Sequence, residues 1–297
     1  AFFGAFHGRT FGAMSLSASK LIHRRGFSPL VPDIHHVPFP IDDTGREFEF
    51  DDTIFHKTCP PDEVAAIFVE PIQGEGGYHV APPAFLRALR AFCDTHGILL
   101  VADEVQSGFG RTGKMFAMEH AGVAADIVCL AKGIASGLPL GAIVARAEVM
   151  DWPSGSHAST FGGNPVSCRA ALATLDLLER EYVANAAVRG AQMRAGLVRL
   201  RAAFDFLGDV RGLGLMLAID VVNPARDPEA GSRLDPAGRD RLIQRAFERG
   251  LLILGCGTAA LRFCPPLCVD SGQVERALDL LREVFGSDRA ARTENAS

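Results

Sequence analysis

A lysine and a carboxylate follow or end two apolar segments in a pattern that could support chemistry. Lys132 follows the segment DIVCLA (126–131), while Asp103 lies in ILLVADEV (98–105) and Gln106 comes directly after it. Parallel α/β sheets bind ligands at the carboxyl ends of their strands, so we expect these side chains at one site. An ammonium is costly there unless it is paired or chemically converted. The alternative is that Lys132 reaches solvent along its alkyl chain.

These residue types suit an electrophilic aromatic cofactor. A lysine amine forms Schiff bases, and an ionised carboxylate keeps a pyridine nitrogen protonated, which makes the ring an electron sink. Positions 103 and 105 of one strand face the same side, so we expect Val105 to cover a ring face beside Asp103. The pattern predicts Lys132 and Asp103 as the catalytic residues.

The first half of the chain alternates apolar and helix-type segments, as in an α/β fold. Continuous apolar strands interleaved with helices are typical of a largely parallel sheet that is covered on both faces. The helix is predicted to end at Gly97. The predicted strands are 64–70, 98–105, 126–131 and 141–145, and the predicted helix is 83–97.

The second half predicts a smaller α+β unit, with a large domain at residues 1–185 and a small domain at 186–297. Residues 167–204 are rich in Ala and Leu and predict one long helix or two abutting helices between the two units. We expect residues 287–297 to be a frayed tail. The other predicted elements are strands in 210–221, 251–254 and 261–264, a polar loop at 222–238, and helices at 239–250 and 272–285.

Composition argues against several classes of partner. The net charge is −5 and the basic residues are scattered, which disfavours nucleic acid and anionic membranes. No apolar segment has the roughly 18 residues of a membrane span, and the N-terminus lacks a secretory pattern, so a cytoplasmic location is expected. The seven cysteines show no CxxC spacing, and we expect reduced thiols and no metal site.

The motifs QGEGG (73–77), ADEVQ (102–106), LAKG (130–133) and STFGGNP (159–165) occur in order along the chain. Together they resemble the class III aminotransferases, the ornithine and 4-aminobutyrate type that depends on pyridoxal 5'-phosphate (PLP). The resemblance implies fold type I and a homodimer with active sites at the subunit interface. It also implies that part of the N-terminal portion lies outside this sequence.

The resemblance assigns the cofactor contacts. Lys132 would form the Schiff base with PLP and then carry the proton during transfer, and Asp103 would pair with the pyridinium nitrogen. Gln106 would bind the phenolic oxygen of the ring. The remaining cofactor-binding residues would be Val105 and Phe6 on the two ring faces, and Thr160, which would reach a cofactor phosphate across the dimer interface.

The resemblance also assigns the substrate contacts. Guanidinium groups suit carboxylates because their bidentate pairing fixes orientation as well as charge. Arg9 and Arg262 match the family's arginines, and Glu75 matches the acid that neutralises the second arginine. The substrates would be a 4-aminobutyrate-like ω-amino acid and a 2-oxo acid acceptor, 2-oxoglutarate. When the donor lacks a carboxylate at that end, Glu75 would pair with Arg262, and 2-oxoglutarate would open the pair.

Other interpretations stay open at this point. Acetylornithine or ornithine transamination and amino-acid racemisation use the same cofactor, and a folded fragment that binds but turns over weakly is a further alternative. The segment GFGRTG (108–113) has the spacing of a dinucleotide-binding turn, but Asp103 to Gln106 separate it from the strand, so we reject that assignment. Glu70 is interpreted as an orienter of Arg9 or Gln106, and His7 as a satisfied histidine without a chemical role.

Overall fold

The computed structural model describes residues 1–41, 53–227 and 231–294. The helices are α1 (Phe11–Leu16), α2 (Thr53–Lys57), α3 (Pro83–His96), α4 (Pro165–Leu177), α5 (Val183–Ala203), α6 (Pro236–Glu248) and α7 (Ser271–Glu294). The strands are β1 (Ala66–Val69), β2 (Ile72–Gln73), β3 (His79–Val80), β4 (Leu99–Asp103), β5 (Ile127–Leu130), β6 (Ala142–Ala145), β7 (Leu207–Leu213), β8 (Met216–Val221), β9 (Leu254–Cys256) and β10 (Ala260–Phe263).

The first sheet has the strand order β1-β4-β5-β6 and is mostly parallel, which confirms the predicted fold class. β1, β4 and β5 are parallel, whereas β6 pairs antiparallel with β5 at the edge. After β1 the chain forms the short β2–β3 hairpin, and helix α3 then leads to β4. The helix is capped by Gly97, whose φ of 68° is left-handed. The buried face of α3 contributes Phe85, Leu89 and Cys93 to the core beside this sheet.

The carboxyl ends of β4 and β5 lie side by side, since Asp103 is paired in register with Cys129. Lys132 therefore follows at the same end of the sheet as Asp103. This placement is the one expected for ligand-binding residues of parallel α/β sheets.

The long helical segment is nearly continuous. α4 leads into α5 through a single π-helical turn at Leu178–Tyr182. The Asn164 side chain caps the start of α4 by accepting from the amides of Val166 and Ser167 at 2.9 and 3.3 Å. Turns of π-helix are rare and occur often at functional sites. Here the turn contributes Leu178 and Tyr182 to the wall of a cavity described below.

The second sheet, of order β7-β8-β10-β9, is antiparallel and has its own core. Helices α5, α6 and α7 pack on it, with Leu197, Leu242 and Leu281 fully buried. The proposed domain boundary after residue 185 falls within the first turn of α5 and stays a prediction. Within the described ranges, none of the helices combines the length and the apolar character that crossing a membrane requires.

One prediction about the ends of elements is wrong. Residues 287–294 continue α7 to Glu294 instead of forming a frayed tail, and residues 295–297 lie outside the described part. Asp288, which is 1% exposed, lies close to Arg241 and Arg245 of α6, so this last part of the helix carries its own contacts. Part of the predicted polar loop, residues 228–230, also lies outside the described residues.

Candidate active site

A cavity of about 670 Å³ opens at the carboxyl ends of β4 and β5, within the size range of small-molecule sites. It brings together most of the predicted site residues. Those that line it are Phe6, Glu75, Val105, Gln106, Lys132 and Arg262. The charged groups come from both sheets, because Lys132 follows β5 and Arg262 lies in β10.

Lys132 sits in an unusual backbone conformation. Its φ is +41°, and Ser136 and Gly137 after it also have positive φ values. Left-handed backbone is uncommon outside glycine, and such strain concentrates at functional sites. The amine is accessible from the cavity, whose walls exclude enough water to lower the pKa of Lys132, while the nearby negative charge of Asp103 acts in the opposite direction.

Asp103 is buried and held at both oxygens. Its Oδ2 lies 2.7 Å from Nδ1 of His7, and its Oδ1 accepts the Val105 amide at 3.0 Å. β4 ends at Asp103, so Val105 lies in the following turn rather than on the strand. The alternation argument for Val105 was therefore wrong, although Val105 does line the cavity; the Asp103 side chain holds the turn that presents it.

His7 is more than a satisfied histidine. Its side chain is 4% exposed, and while Nδ1 contacts Asp103, Nε2 is buried without a hydrogen-bond partner among the described residues. His7 thus orients the Asp103 carboxylate, as second-layer partners of catalytic groups do. Its position beside Phe6 in the sequence was the only available signal.

Glu70 joins two segments that carry site residues. Its Oε2 accepts the Phe6 amide at 3.0 Å and its Oε1 accepts the Gly74 amide at 3.1 Å, so it orients neither Arg9 nor Gln106 directly. Burial raises the pKa of Glu70 to about 7, and Asp103 adds to this while His7 and the two amide bonds oppose it. Glu104, which follows Asp103 in the sequence, holds the local backbone by accepting the Met118 amide at 2.8 Å.

Arg262 and Glu75 form an ion pair within the cavity. Arg262 Nη1 donates to Glu75 Oε1 at 2.6 Å, across 187 residues of sequence. Burial lowers the pKa of Arg262, but the hydrogen bond and charge of Glu75 more than compensate, so the net shift is upward. Lys20 Nζ lies 3.9 Å from the other oxygen of Glu75. One carboxylate oxygen of Glu75 therefore faces Arg262 and the other faces Lys20.

Three predicted site residues, Arg9, Asp103 and Thr160, do not line the cavity, and of these Asp103 contacts the lining residue Val105. Arg9 is exposed, and its guanidinium lies 5.6 Å from the centre of the Phe6 ring, at cation–π distance. Thr160 is exposed in the segment before α4. Their assigned roles toward a substrate carboxylate and toward a partner's cofactor stay predictions.

Glycines allow close packing around the site. A Cβ on Gly74 would lie 2.6 Å from Nε2 of Gln106, so only glycine lets this amide occupy its place. In the segment 108–113, a Cβ on Gly113 would lie 2.9 Å from Cβ of Ala187 in α5. No dinucleotide-type helix follows these glycines, since a short 3₁₀ turn at Ala117–His120 comes next. Gly110 and Gly113 allow close packing against Val183 and Ala187 of α5, whereas Gly108 lies against Glu104.

The cavity also contains residues that sequence reasoning missed. Tyr78 and Arg111 line its wall near Arg262, as do Cys264 and Cys268. Arg111 carried no signal beyond the glycine-rich segment that was rejected as a nucleotide site. The cysteines are free, and no group of three metal-ligating side chains occurs within the described ranges.

Comparison with known proteins decides the family. The model of the family "Aminotransferase class-III" matches residues 1–285. The chain belongs to the class III aminotransferases. It is 38% identical to the 4-aminobutyrate aminotransferase GabT of Escherichia coli over 96% of this chain and 68% of GabT. It is also 37% identical to an alanine/serine racemase of Pyrococcus horikoshii over 99% of this chain and 65% of that protein.

Solved structures agree with this assignment. This class III aminotransferase matches an amine transaminase from an uncultivated Pseudomonas species, in its PLP-bound form, with a TM-score of 0.86 and 32% identity over 96% of this chain and 68% of that one. It matches the ornithine aminotransferase of Toxoplasma gondii with a TM-score of 0.83 and 32% identity over 98% and 64%. The chain spans about two thirds of the length of these relatives.

The site's residues fit the cofactor of the family, which is PLP-dependent. The Lys132 amine, whose pKa is lowered, lines one cavity together with the Gln106 amide and the apolar side chains of Phe6 and Val105. The buried Asp103 carboxylate, held at both oxygens, is close enough to Lys132 for its charge to affect that pKa. Lys132 would hold PLP covalently, and Asp103 would face its ring nitrogen. The protein is thus a PLP-dependent transaminase by family.

Proposed function

We propose that this aminotransferase moves an amino group from an ω-amino acid of the 4-aminobutyrate type to 2-oxoglutarate. The ion pair between Arg262 and Glu75 in the cavity of Lys132 is the observation that carries the proposal. A guanidinium neutralised by a movable carboxylate suits an enzyme that must accept, at one position, substrates with and without a carboxylate.

The protein's own groups have separate tasks. PLP, when bound, supplies the electron sink that makes the substrate C–H bond acidic. The Lys132 amine, with its pKa lowered by burial, carries the proton between substrate positions as a general base and acid. Asp103, oriented by His7, would pair with the ring nitrogen of the cofactor. Phe6 and Val105 would supply the apolar contacts to its ring.

The Arg262–Glu75 pair would select substrates by opening and closing. With an ω-amino donor the pair stays closed, so Arg262 presents no free positive charge to the amino-bearing end of the donor, which has no carboxylate to pair with it. A 2-oxoglutarate carboxylate competes with Glu75 for Arg262, and the released Glu75 keeps Lys20 as a partner at 3.9 Å. Arg9 would receive the other carboxylate of the substrate.

A racemase is the second candidate, because the alanine/serine racemase of Pyrococcus horikoshii is about as similar as the aminotransferases. Relatives also include an acetylornithine aminotransferase of Caldanaerobacter subterraneus, 38% identical over 96% of this chain. A homodimer in which Thr160 contacts the partner's cofactor is part of the proposal. So is the activity of the whole protein, since the chain spans about two thirds of its relatives.

The first experiment locates the cofactor. The chain is incubated with PLP, reduced with borohydride and digested, and we expect the pyridoxyl mass on the peptide containing Lys132. Lys132→Ala should abolish this adduct, whereas Lys114→Ala, which alters a lysine outside the cavity, should leave it. Label on another lysine in the unmodified chain would contradict the assignment.

The second experiment identifies the reaction. 4-Aminobutyrate, 5-aminovalerate, N-acetylornithine and L-alanine are offered in turn with 2-oxoglutarate, and glutamate and D-alanine are both measured. If glutamate forms fastest from 4-aminobutyrate, the proposal is supported. If it forms from N-acetylornithine alone, the amino donor is N-acetylornithine and the proposed donor is wrong. D-Alanine without glutamate would establish the racemase instead. Glu75→Ala should slow the donor half-reaction, because Arg262 then stays unpaired.

A further inference from the structure

Tyr78 is held in a demanding conformation beside the substrate cavity. It lies between β2 and β3 with φ of +59°, and its amide donates to the Gln73 carbonyl at 2.7 Å. A left-handed backbone is a genuine outlier for a bulky residue. The residue is also 0% exposed. Its surroundings therefore fix the position of its ring.

The hydroxyl of Tyr78 is buried and has no hydrogen-bond partner in the part of the chain that the structure describes. Buried polar groups are nearly always hydrogen-bonded, so each exception calls for an explanation. The Cys264 thiol is close enough to the phenol to act as a weak hydrogen-bond acceptor, but sulfur is too poor an acceptor to satisfy the hydroxyl. Tyr78 lines the cavity that holds Arg262 and Lys132, which makes a ligand the natural acceptor.

Two arginines, Arg262 and Arg111, line the same cavity as Tyr78. Nε of Arg262 is also buried without a hydrogen-bond partner among the described residues. Arg111 lines the same cavity and donates to the carbonyls of Leu215 and Pro265, at 3.3 and 2.5 Å, and no carboxylate in the described ranges forms an ion pair with it. Charge coupling places the phenol near both Arg262 and Arg111. This corner of the cavity is rich in donors and poor in acceptors.

We propose that the Tyr78 hydroxyl determines specificity by donating a hydrogen bond to the substrate carboxylate that displaces Glu75 from Arg262. Arg111 adds a second positive charge to this corner. The ligand class is a 2-oxo acid with its carboxylate at the Arg262 end. The inference rests on the proposed function, because it takes Arg262 to be the carboxylate receptor.

The chemistry of the phenol suits this role. Burial raises the pKa of Tyr78 well above its usual range, so the group stays a neutral donor throughout the working pH range. A donor that can be satisfied only by an incoming carboxylate favours carboxylate substrates and penalises analogues that leave it unpaired. Donors such as 4-aminobutyrate, which leave the Glu75–Arg262 pair closed, would not use Tyr78.

The test compares Tyr78→Phe with Thr95→Val, which removes an exposed hydroxyl of α3 outside the cavity. Binding of 2-oxoglutarate to the cofactor-free chain is measured by calorimetry. We expect Tyr78→Phe to weaken binding about tenfold, as for a lost hydrogen bond to a charged group. Thr95→Val should bind 2-oxoglutarate as the unmodified chain does. In the PLP-loaded protein, Tyr78→Phe should slow the 2-oxoglutarate half-reaction and leave the 4-aminobutyrate half-reaction unchanged.

A measurement on the intact hydroxyl complements the variants. Tyrosine labelled with ¹³C at Cζ gives two resonances, which Tyr182→Phe assigns, and the Tyr78 resonance should shift on addition of 2-oxoglutarate. Arg262→Ala distinguishes the role inferred for Tyr78 from the role proposed for Arg262. If Arg262→Ala weakens binding while Tyr78→Phe does not and the resonance stays in place, the inference about Tyr78 is wrong and the proposed function stands. If Arg262→Ala binds 2-oxoglutarate normally, the proposed function itself fails.

Discussion

Replacing Glu70 with glutamine should remove a pH dependence from the stability of the protein. The Glu70 carboxylate is 6% exposed and accepts the amides of Phe6 and Gly74. The ionisable groups that affect it are His7, Asp103 and Lys132. Burial is the main reason why its pKa rises from an ordinary 4.5 to about 7. The folded protein therefore holds this proton more tightly than the unfolded chain does.

The size and sign of the effect follow from linkage. The rise in pKa from 4.5 to about 7 corresponds, at about 1.36 kcal/mol per pH unit, to about 3 kcal/mol. Because the pKa of Glu70 is raised in the folded state, its contribution to stability is complete below pH 4.5 and is lost as the pH rises through about 7. Glutamine does not titrate, so the variant lacks this slope and differs otherwise by a constant offset.

The free energy of unfolding of the unmodified protein and of Glu70→Gln is measured by urea unfolding between pH 4.5 and pH 8. The free energy of unfolding of the unmodified protein, relative to Glu70→Gln, should fall by about 3 kcal/mol across this interval. Glu283→Gln, the same change at an exposed position of α7, should follow the unmodified protein. Profiles of the unmodified protein and Glu70→Gln that run parallel over the whole interval would refute the claim that Glu70 is buried and protonated near neutral pH.

Two further predictions concern packing and the carboxylate of the site. Gly190→Ala should destabilise the protein by about 1–3 kcal/mol in urea unfolding, because a Cβ there would collide with the Gly214 backbone. Gly286→Ala, at a helical position with open space around it, should instead stabilise by up to about 1 kcal/mol. His7→Leu removes the 2.7 Å partner of Asp103 and should weaken PLP binding, followed by its absorbance, about tenfold; unchanged affinity would mean that His7 only fills space.

The family and the main cavity residues could be predicted from sequence because short motifs carry them. Lys132 follows an apolar strand, and strand ends in parallel sheets meet at one edge, so its placement needed only local pattern and topology. Glu75 and Arg262 were paired through the resemblance alone, as they are 187 residues apart. The ion pair in the structure agrees with that expectation.

The contacts that sequence reasoning missed depend on tertiary structure. His7 and Asp103 are 96 residues apart, and neither position has a periodic pattern that would join them. Val105 was placed by strand alternation, yet the Asp103 side chain ends the strand by accepting the Val105 amide. The continuation of α7 beyond residue 287 was missed because its polar sequence masks contacts such as those of Asp288 with α6.

The Arg262–Glu75 ion pair depends on contacts that lie between the two sheets. Glu75 belongs to the loop joining β2 and β3, and the Glu75 carbonyl accepts the Gly257 amide at 2.9 Å. Arg211 of β7 donates to the Gly77 carbonyl at 2.7 Å and forms a bidentate pair with Asp220. Since Arg262 belongs to the same sheet as these residues, the second sheet holds both members of the pair in register. Because Lys132 follows a strand of the first sheet, the position of the Arg262–Glu75 pair relative to Lys132 depends on how this loop packs against the second sheet.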